Sequence, residues 1–184
     1  MRAADWNAAG AGPLRVAVNL SARQFADEGL VRDIAGALDR AGARPDCLEV
    51  EITESVAVQD IEATARILRE LRALGVAVAM DDFGTGHSSL GALRRLDVDV
   101  IKIDRSFVAD VVRDPRAGAL CEAILRMAEA LGKRVIAEGV ETREQLEHLA
   151  ARGCRVFQGH FIGLPQPAAQ IPLHPLAGPR ILTH

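Results

Sequence analysis

The sequence predicts an α/β fold in which a parallel sheet curls into a TIM-like (β/α) barrel. Two observations carry that reading. Apolar strand-like runs and amphipathic helical stretches alternate about six times with short loops between them, which is the signature of a parallel sheet with helices outside it. Polar residues then recur where the strand-like runs end: Asn19, Glu51, Asp81, Lys102, Glu138 and Gln158. In a barrel of parallel strands that rim is where sites are built. An open, doubly wound sheet is the competing topology. Against it, no Gly-x-Gly-x-x-Gly follows the first strand.

Taken in order, residues 1–13 read as the end of a helix, with Trp6 its one large apolar residue, followed by a Gly-Ala-Gly-Pro turn. Leu14 to Leu20 reads as the first strand and ends in Asn19-Leu20-Ser21. Residues 28–41 place Val31, Ile34, Ala35 and Leu38 on one helical face. After a return loop, Cys47 to Thr53 is the second strand, followed by Glu54-Ser55. Residues 60–74 carry the stripe Ile61, Leu68, Leu71 and Leu74, closed by Gly75. Val76 to Asp82 is the third strand, in which an aliphatic run ends in two adjacent carboxylates and a glycine-rich turn. A short helix is expected over Ser88 to Leu96, and the fourth strand over Val98 to Asp104. A long helix over about 116–132 is expected to face Leu120, Ile124, Met127 and Leu131 inward. Lys133 to Val140 is the fifth strand, and Thr142 caps a helix that runs to Arg152. Arg155 to Gln158 is a short sixth strand. The chain then becomes rich in Pro and Gly, so the domain is drawn over 1–167 and an irregular tail over 168–184.

Composition narrows the function. A length of 184 residues suits one domain or part of a larger one. The net charge of -3 gives no electrostatic case for nucleic-acid binding. Cys47, Cys121 and Cys154 stand apart, with no zinc or disulfide spacing, as expected for a reducing cytoplasm. No signal peptide and no apolar run of membrane-spanning length is seen.

The strand-end residues suggest chemistry. Asp81 and Asp82 repel each other, and such a pair is tolerated mainly in water or around a cation. Period-two geometry separates Glu49, Glu51 and Thr53 from Leu48, Val50 and Ile52, so Glu51 points to the barrel interior or mouth. Lys102 takes the face opposite Ile101 and Ile103, where a buried ammonium needs a carboxylate or a substrate anion. Acids, an amide and a lysine on one rim would suit a hard divalent cation, Mg²⁺ or Mn²⁺, with oxygen ligands. Each residue alone admits a plainer reading. Asn19-Leu20-Ser21 could be a capping turn, Glu51 and Glu54 surface ion-pair partners, and Lys102 a snorkelling lysine. Glu138 and Glu141 could simply complement a helix start. The five histidines show no ligand spacing. The case for a site rests on repetition at the same end of successive strands.

The motifs also resemble a family. Val18-Asn19-Leu20-Ser21-Ala22-Arg23-Gln24-Phe25, Glu51-Ile52-Thr53-Glu54, Asp81-Asp82-Phe83-Gly84-Thr85-Gly86, Lys102-Ile103-Asp104, Glu138-Gly139-Val140-Glu141 and Gln158-Gly159 occur in the order and spacing of the EAL domain. That family hydrolyses the bacterial second messenger cyclic di-GMP to linear pGpG. The resemblance implies a metal set of Asn19, Glu51, Asp81, Asp82 and Glu138, holding one or two Mg²⁺ or Mn²⁺ ions. It implies catalytic roles for Lys102, Glu138, Glu141 and Gln158, with Ser21, Arg23, Lys102 and Gln158 toward the substrate. Glu54 would anchor the glycine loop after Asp82, and that loop, residues 84–90, would be a regulatory hinge and the seat of a homodimer. His87 stands where Tyr is commoner. The Glu-Ala-Leu motif that the family carries ahead of Asn19 is absent from that position, and the resemblance implies that two strands before Asn19 are lacking, leaving about six of eight. The chain is thus expected to be a truncated piece of a once-active enzyme. A binding or protein-interaction remnant without catalysis is the alternative. An unrelated enolase-like metal enzyme would leave the Asp-Asp-Phe-Gly-Thr-Gly loop unexplained.

Overall fold

The structure is a computed structural model and describes residues 14–86 and 90–170. Six parallel strands lie in strict chain order: β1 (Val16–Asn19), β2 (Leu48–Thr53), β3 (Ala77–Phe83), β4 (Val100–Ile103), β5 (Arg134–Ala137) and β6 (Val156–Phe157). Among the described residues eight α-helices connect and follow them: α1 (Ala22–Phe25), α2 (Leu30–Ala41), α3 (Glu54–Gln59), α4 (Ile61–Ala73), α5 (Leu90–Arg95), α6 (Arg105–Ala109), α7 (Pro115–Ala130) and α8 (Arg143–Ala151). Neighbours in sequence are neighbours in the sheet throughout, as in a barrel and unlike a doubly wound sheet.

Alternation along the strands sorts side chains onto two faces. Val50, Ile52, Val78, Met80, Ile101, Ile103, Ala137 and Phe157 face the helices and form the main core with Leu68, Leu71, Ile124, Ala128 and Leu149. The inner face holds a small second cluster of Ala79, Val100 and Ile136, with Val156 against it. Register explains that cluster, because Ala79 pairs with Val100 and Ile136 with Val156. The same register puts Lys102 beside Ile136 and Asn19 beside Glu51, so Asn19, Glu51 and Lys102 share the inner face.

The sheet is curled. In a flat sheet β2 and β5 would lie roughly 14 Å apart, three strand spacings. Yet Arg134 on β5 reaches Glu49 on β2 at 3.4 Å, and Arg15 reaches the same carboxylate at 3.2 Å. The result is a half-barrel whose concave face carries the ionisable side chains.

The boundaries differ from the sequence expectation in instructive ways. Three one-turn helices, α1, α3 and α6, fill strand-end stretches expected to be loops. They are too short for a periodic signal, and side-chain caps start them: Ser21, Thr53 and Asp104 each accept a backbone N–H. Leu120 on α7 and Leu131, which caps its C-terminus, are exposed rather than inward. The buried stripe is Cys121, Ile124, Leu125 and Ala128, because the small residues at 121 and 128 let the helix approach the sheet closely. The expected helix over 1–13, His87 and tail residues 171–184 lie outside the described residues. Of the tail, Ala168–Gln170 is a single 3₁₀ turn.

Candidate functional site

The site is assembled at the C-terminal ends of β2 to β5. Lys102, only 2% exposed, stands at its centre. Its Nζ lies 2.8 Å from Glu51 Oε1, 2.6 Å from Glu138 Oε1 and 3.4 Å from Asp81 Oδ1. Three carboxylates from three strands thus converge on one ammonium, which keeps them from repelling one another apart. Burial pushes the Lys102 ammonium toward deprotonation, but the carboxylates of Glu138 and Glu51 more than offset it and hold the charge well above the ordinary lysine range.

Adjacent strand residues ordinarily point to opposite faces, so Asp81 and Asp82 should not share a site. The local backbone resolves this. The pairing of β3 with β4 shifts register between Met80 and Phe83, and Asp82 has a φ of 54°, the one left-handed non-glycine among the described residues. That twist turns the second carboxylate back, so oxygens of Asp81, Asp82 and Glu138 all lie within 4.8 Å of one another. Aspartate is one of the few residues besides glycine that adopts this conformation readily.

Crowding of acids leaves its mark on their protonation. Burial raises the Glu138 carboxyl to about 7; the charges of Asp81 and Glu51 add to the effect, and Lys102 opposes it. Asp82 is likewise raised, first by burial and then by the neighbouring charges of Asp81 and Asp104. Glu51 Oε2 is buried with no hydrogen-bond partner among the described residues. An orphaned buried carboxylate oxygen beside a triad of acid oxygens is an all-oxygen donor set, and it fits a hard divalent cation.

The loops around the centre are fixed by two close approaches. Gly139, with φ +68°, lies so near α6 that a Cβ would meet that of Arg105 at 2.5 Å. Gly159 passes as closely over the backbone of Val140. These contacts seat Glu138, whose N–H donates to Ile103 O at 3.1 Å. Glu54 is 1% exposed, and its Oε2 accepts the N–H of Gly84 at 2.8 Å, so it does hold the turn that follows Asp82.

The structure therefore brings together Glu51, Asp81, Asp82, Lys102 and Glu138. Asn19 ends β1 in register with Glu51 and is exposed. Ser21 caps α1, and Arg23 is exposed on it. Glu141 and Gln158 follow β5 and β6. In the described residues the side chains of Ser21, Arg23, Glu141 and Gln158 stand on the rim without joining the Lys102 ion cluster. The register shift at β3 is the feature that sequence reasoning missed, and only the doubled aspartate hinted at it.

The fold is that of a parallel (β/α) half-barrel whose acidic cluster lies at the C-terminal strand ends, where barrels of this kind build their sites. The chain belongs to the EAL domain family, whose model matches residues 1–165. It is 44% identical over 168 residues to the bifunctional diguanylate cyclase/cyclic di-GMP phosphodiesterase MucR of Pseudomonas aeruginosa, covering 91% of this chain and 23% of that protein. The chain thus spans about a quarter of the length of that curated relative. The structure of the PaMucR phosphodiesterase in complex with c-di-GMP superposes with a TM-score of 0.87 at 44% identity, over 90% of this chain and 67% of that one. The Klebsiella pneumoniae BlrP1 complex with manganese and cyclic di-GMP matches with a TM-score of 0.76 at 34% identity, over 86% of this chain and 41% of that one. No helix among the described residues is long and apolar enough to cross a membrane.

Proposed function

We propose that this chain carries the metal-binding and catalytic part of a phosphodiesterase that hydrolyses cyclic di-GMP to linear pGpG in the bacterial cytoplasm. The observation that carries the reading is the convergence of Glu51, Asp81 and Glu138 on Lys102 with Asp82 turned back beside them. Glu51, Asp81, Asp82 and Glu138, with Asn19 at the end of β1, would hold one or two Mg²⁺ or Mn²⁺ ions. Such an ion, when bound, neutralises phosphate charge and acidifies a water molecule.

Formation of pGpG requires a water oxygen to bond to one phosphorus while the P–O3′ bond breaks. The phosphate stays on the 5′ oxygen, and the departing 3′ oxygen gains a proton. Lys102 remains charged throughout, so its ammonium can hold the attacking water or a phosphate oxygen as negative charge builds up. Glu138, 2.6 Å from the Lys102 ammonium, would take part in moving the proton that the attacking water gives up. Ser21, the cap of α1, and Arg23 on that helix would meet the substrate. Glu141 and Gln158 on the opposite rim would position the water and the phosphate. Glu54, through its hold on Gly84, would couple the loop over 84–90 to Asp82 and to a homodimer partner.

Hydrolysis in ¹⁸O-labelled water tests the step. One ¹⁸O should enter the 5′-phosphate of pGpG, and Asp81→Asn should abolish product. Label in a 3′-phosphate would contradict the bond assignment.

A further inference from the structure

Gln145 lies outside every role assigned so far, yet it is 7% exposed and makes polar contacts in three directions. Its Oε1 accepts the N–H of Glu141 at 2.7 Å and that of Thr142 at 3.0 Å. Its Nε2 donates to the carbonyl of Ala109, the last residue of α6, at 3.1 Å. The plain explanation is a capping box, since Thr142 Oγ1 accepts the Gln145 N–H at 3.2 Å. A second capping box in the chain shows what that alone looks like. Gln24 on α1 is exposed, and among the described residues its side chain hydrogen-bonds only to Ser21. Gln145 goes further, both back along its own loop and across to another helix.

That reach joins the two segments that carry the site. The stretch 138–142 leaves β5 bearing Glu138 and Glu141, and α6 follows Lys102 and Asp104 at the end of β4. Along the loop, the Glu138 N–H is held by Ile103 O and the Val140 N–H by Gln158 O. Glu141 and Thr142 would have no such backbone partner, and Gln145 Oε1 supplies it to both. The Ala109 carbonyl is one of the acceptors that a helix end leaves open, and Gln145 Nε2 closes it.

We propose that Gln145 is a positioning residue: it locks the β5 loop to α6, the helix that follows Lys102, and so holds Glu138 in the acid cluster that would bind the metal. This rests on the phosphodiesterase reading above. Residues that orient metal ligands from behind typically change metal affinity by about 10–100-fold when removed.

The test uses the whole chain and Mn²⁺ alone, by titration calorimetry, with Gln145→Leu and Gln145→Glu compared. Gln145→Leu removes both contacts, and Mn²⁺ should bind about 10-fold or more weakly to the folded variant. Amide exchange at Glu141 and Thr142 in the metal-free protein should speed up at the same time. Gln145→Glu keeps the acceptor for both N–H groups but has no donor for the Ala109 carbonyl, so the link to α6 is lost and Mn²⁺ should again bind about 10-fold or more weakly. A folded Gln145→Leu with parental Mn²⁺ affinity would overturn the proposal, leaving Gln145 a helix cap. If Gln145→Leu does not fold, Gln145→Glu decides alone, and parental Mn²⁺ affinity there would overturn the proposal. A parent chain that binds no Mn²⁺ would instead overturn the phosphodiesterase reading itself, and this inference with it.

Discussion

Replacing Lys102 with methionine isolates the central ion cluster. The side chains are similar in length, so packing changes little and charge changes wholly. At the observed 2.8 and 2.6 Å, each of the two short contacts has a gross attraction of about 6 kcal/mol at an effective dielectric of about 20. Most of that is cancelled by the cost of taking the ions out of water. What the substitution exposes is the remainder: Glu51, Asp81 and Glu138 facing one another with no cation between them. Removing one partner of a buried ion pair costs about 3–5 kcal/mol. Protonation can relieve part of this, so the loss should be larger near pH 8 than near pH 5. Urea denaturation followed by circular dichroism, without metal, measures it. Saturating Mn²⁺ should return much of the lost stability by supplying the missing positive charge, while hydrolysis stays abolished. Metal-free stability within about 1 kcal/mol of the parent at the higher pH would refute the reasoning, because the three acids would then not depend on the lysine.

Glu138 makes stability depend on pH in a stated direction. Its folded-state carboxyl titrates at about 7 against an ordinary value of 4.5, so between those values the folded chain holds the extra proton and stability falls as pH rises. The fall should amount to about 3 kcal/mol at most in the metal-free chain, should shrink in Glu138→Gln, and is read from denaturation midpoints across the range. Gly139→Ala should cost about 2 kcal/mol or more in the same assay, since it forces a side chain into a left-handed residue and against Arg105. Glu54→Ala should cost about 2 kcal/mol and lower turnover, because the Gly84 N–H loses a charged acceptor; Glu54→Gln, which keeps a neutral one, should lose less.

Much of the fold was legible because it rests on local patterns. Alternation along Leu48–Thr53 told the inner face from the outer one, and the structure places Glu51 and Lys102 together on the inner face. The strand order followed from the repeated strand–helix unit. Other features depend on pairing that no single segment encodes. Asp81 and Asp82 converge only because β3 slips against β4, and nothing within Val78–Gly84 states what its neighbour's register will be. The contact between Arg134 and Glu49 depends on the curl of the whole sheet, and their separation of 85 positions carries no signal. Leu120 misled because a leucine at a plausible helical position outweighed the smaller Cys121, which is the residue that faces the core. Gln145 was readable as a cap, but its reach to Ala109 depends on where α6 sits, and α6 was not expected.

The most direct test of the account is chromatography of cyclic di-GMP incubated with this chain and Mn²⁺, beside Asp81→Ala. The account predicts conversion to pGpG that the substitution and chelation of the metal each abolish. A folded, Mn²⁺-loaded chain that leaves cyclic di-GMP intact would contradict it.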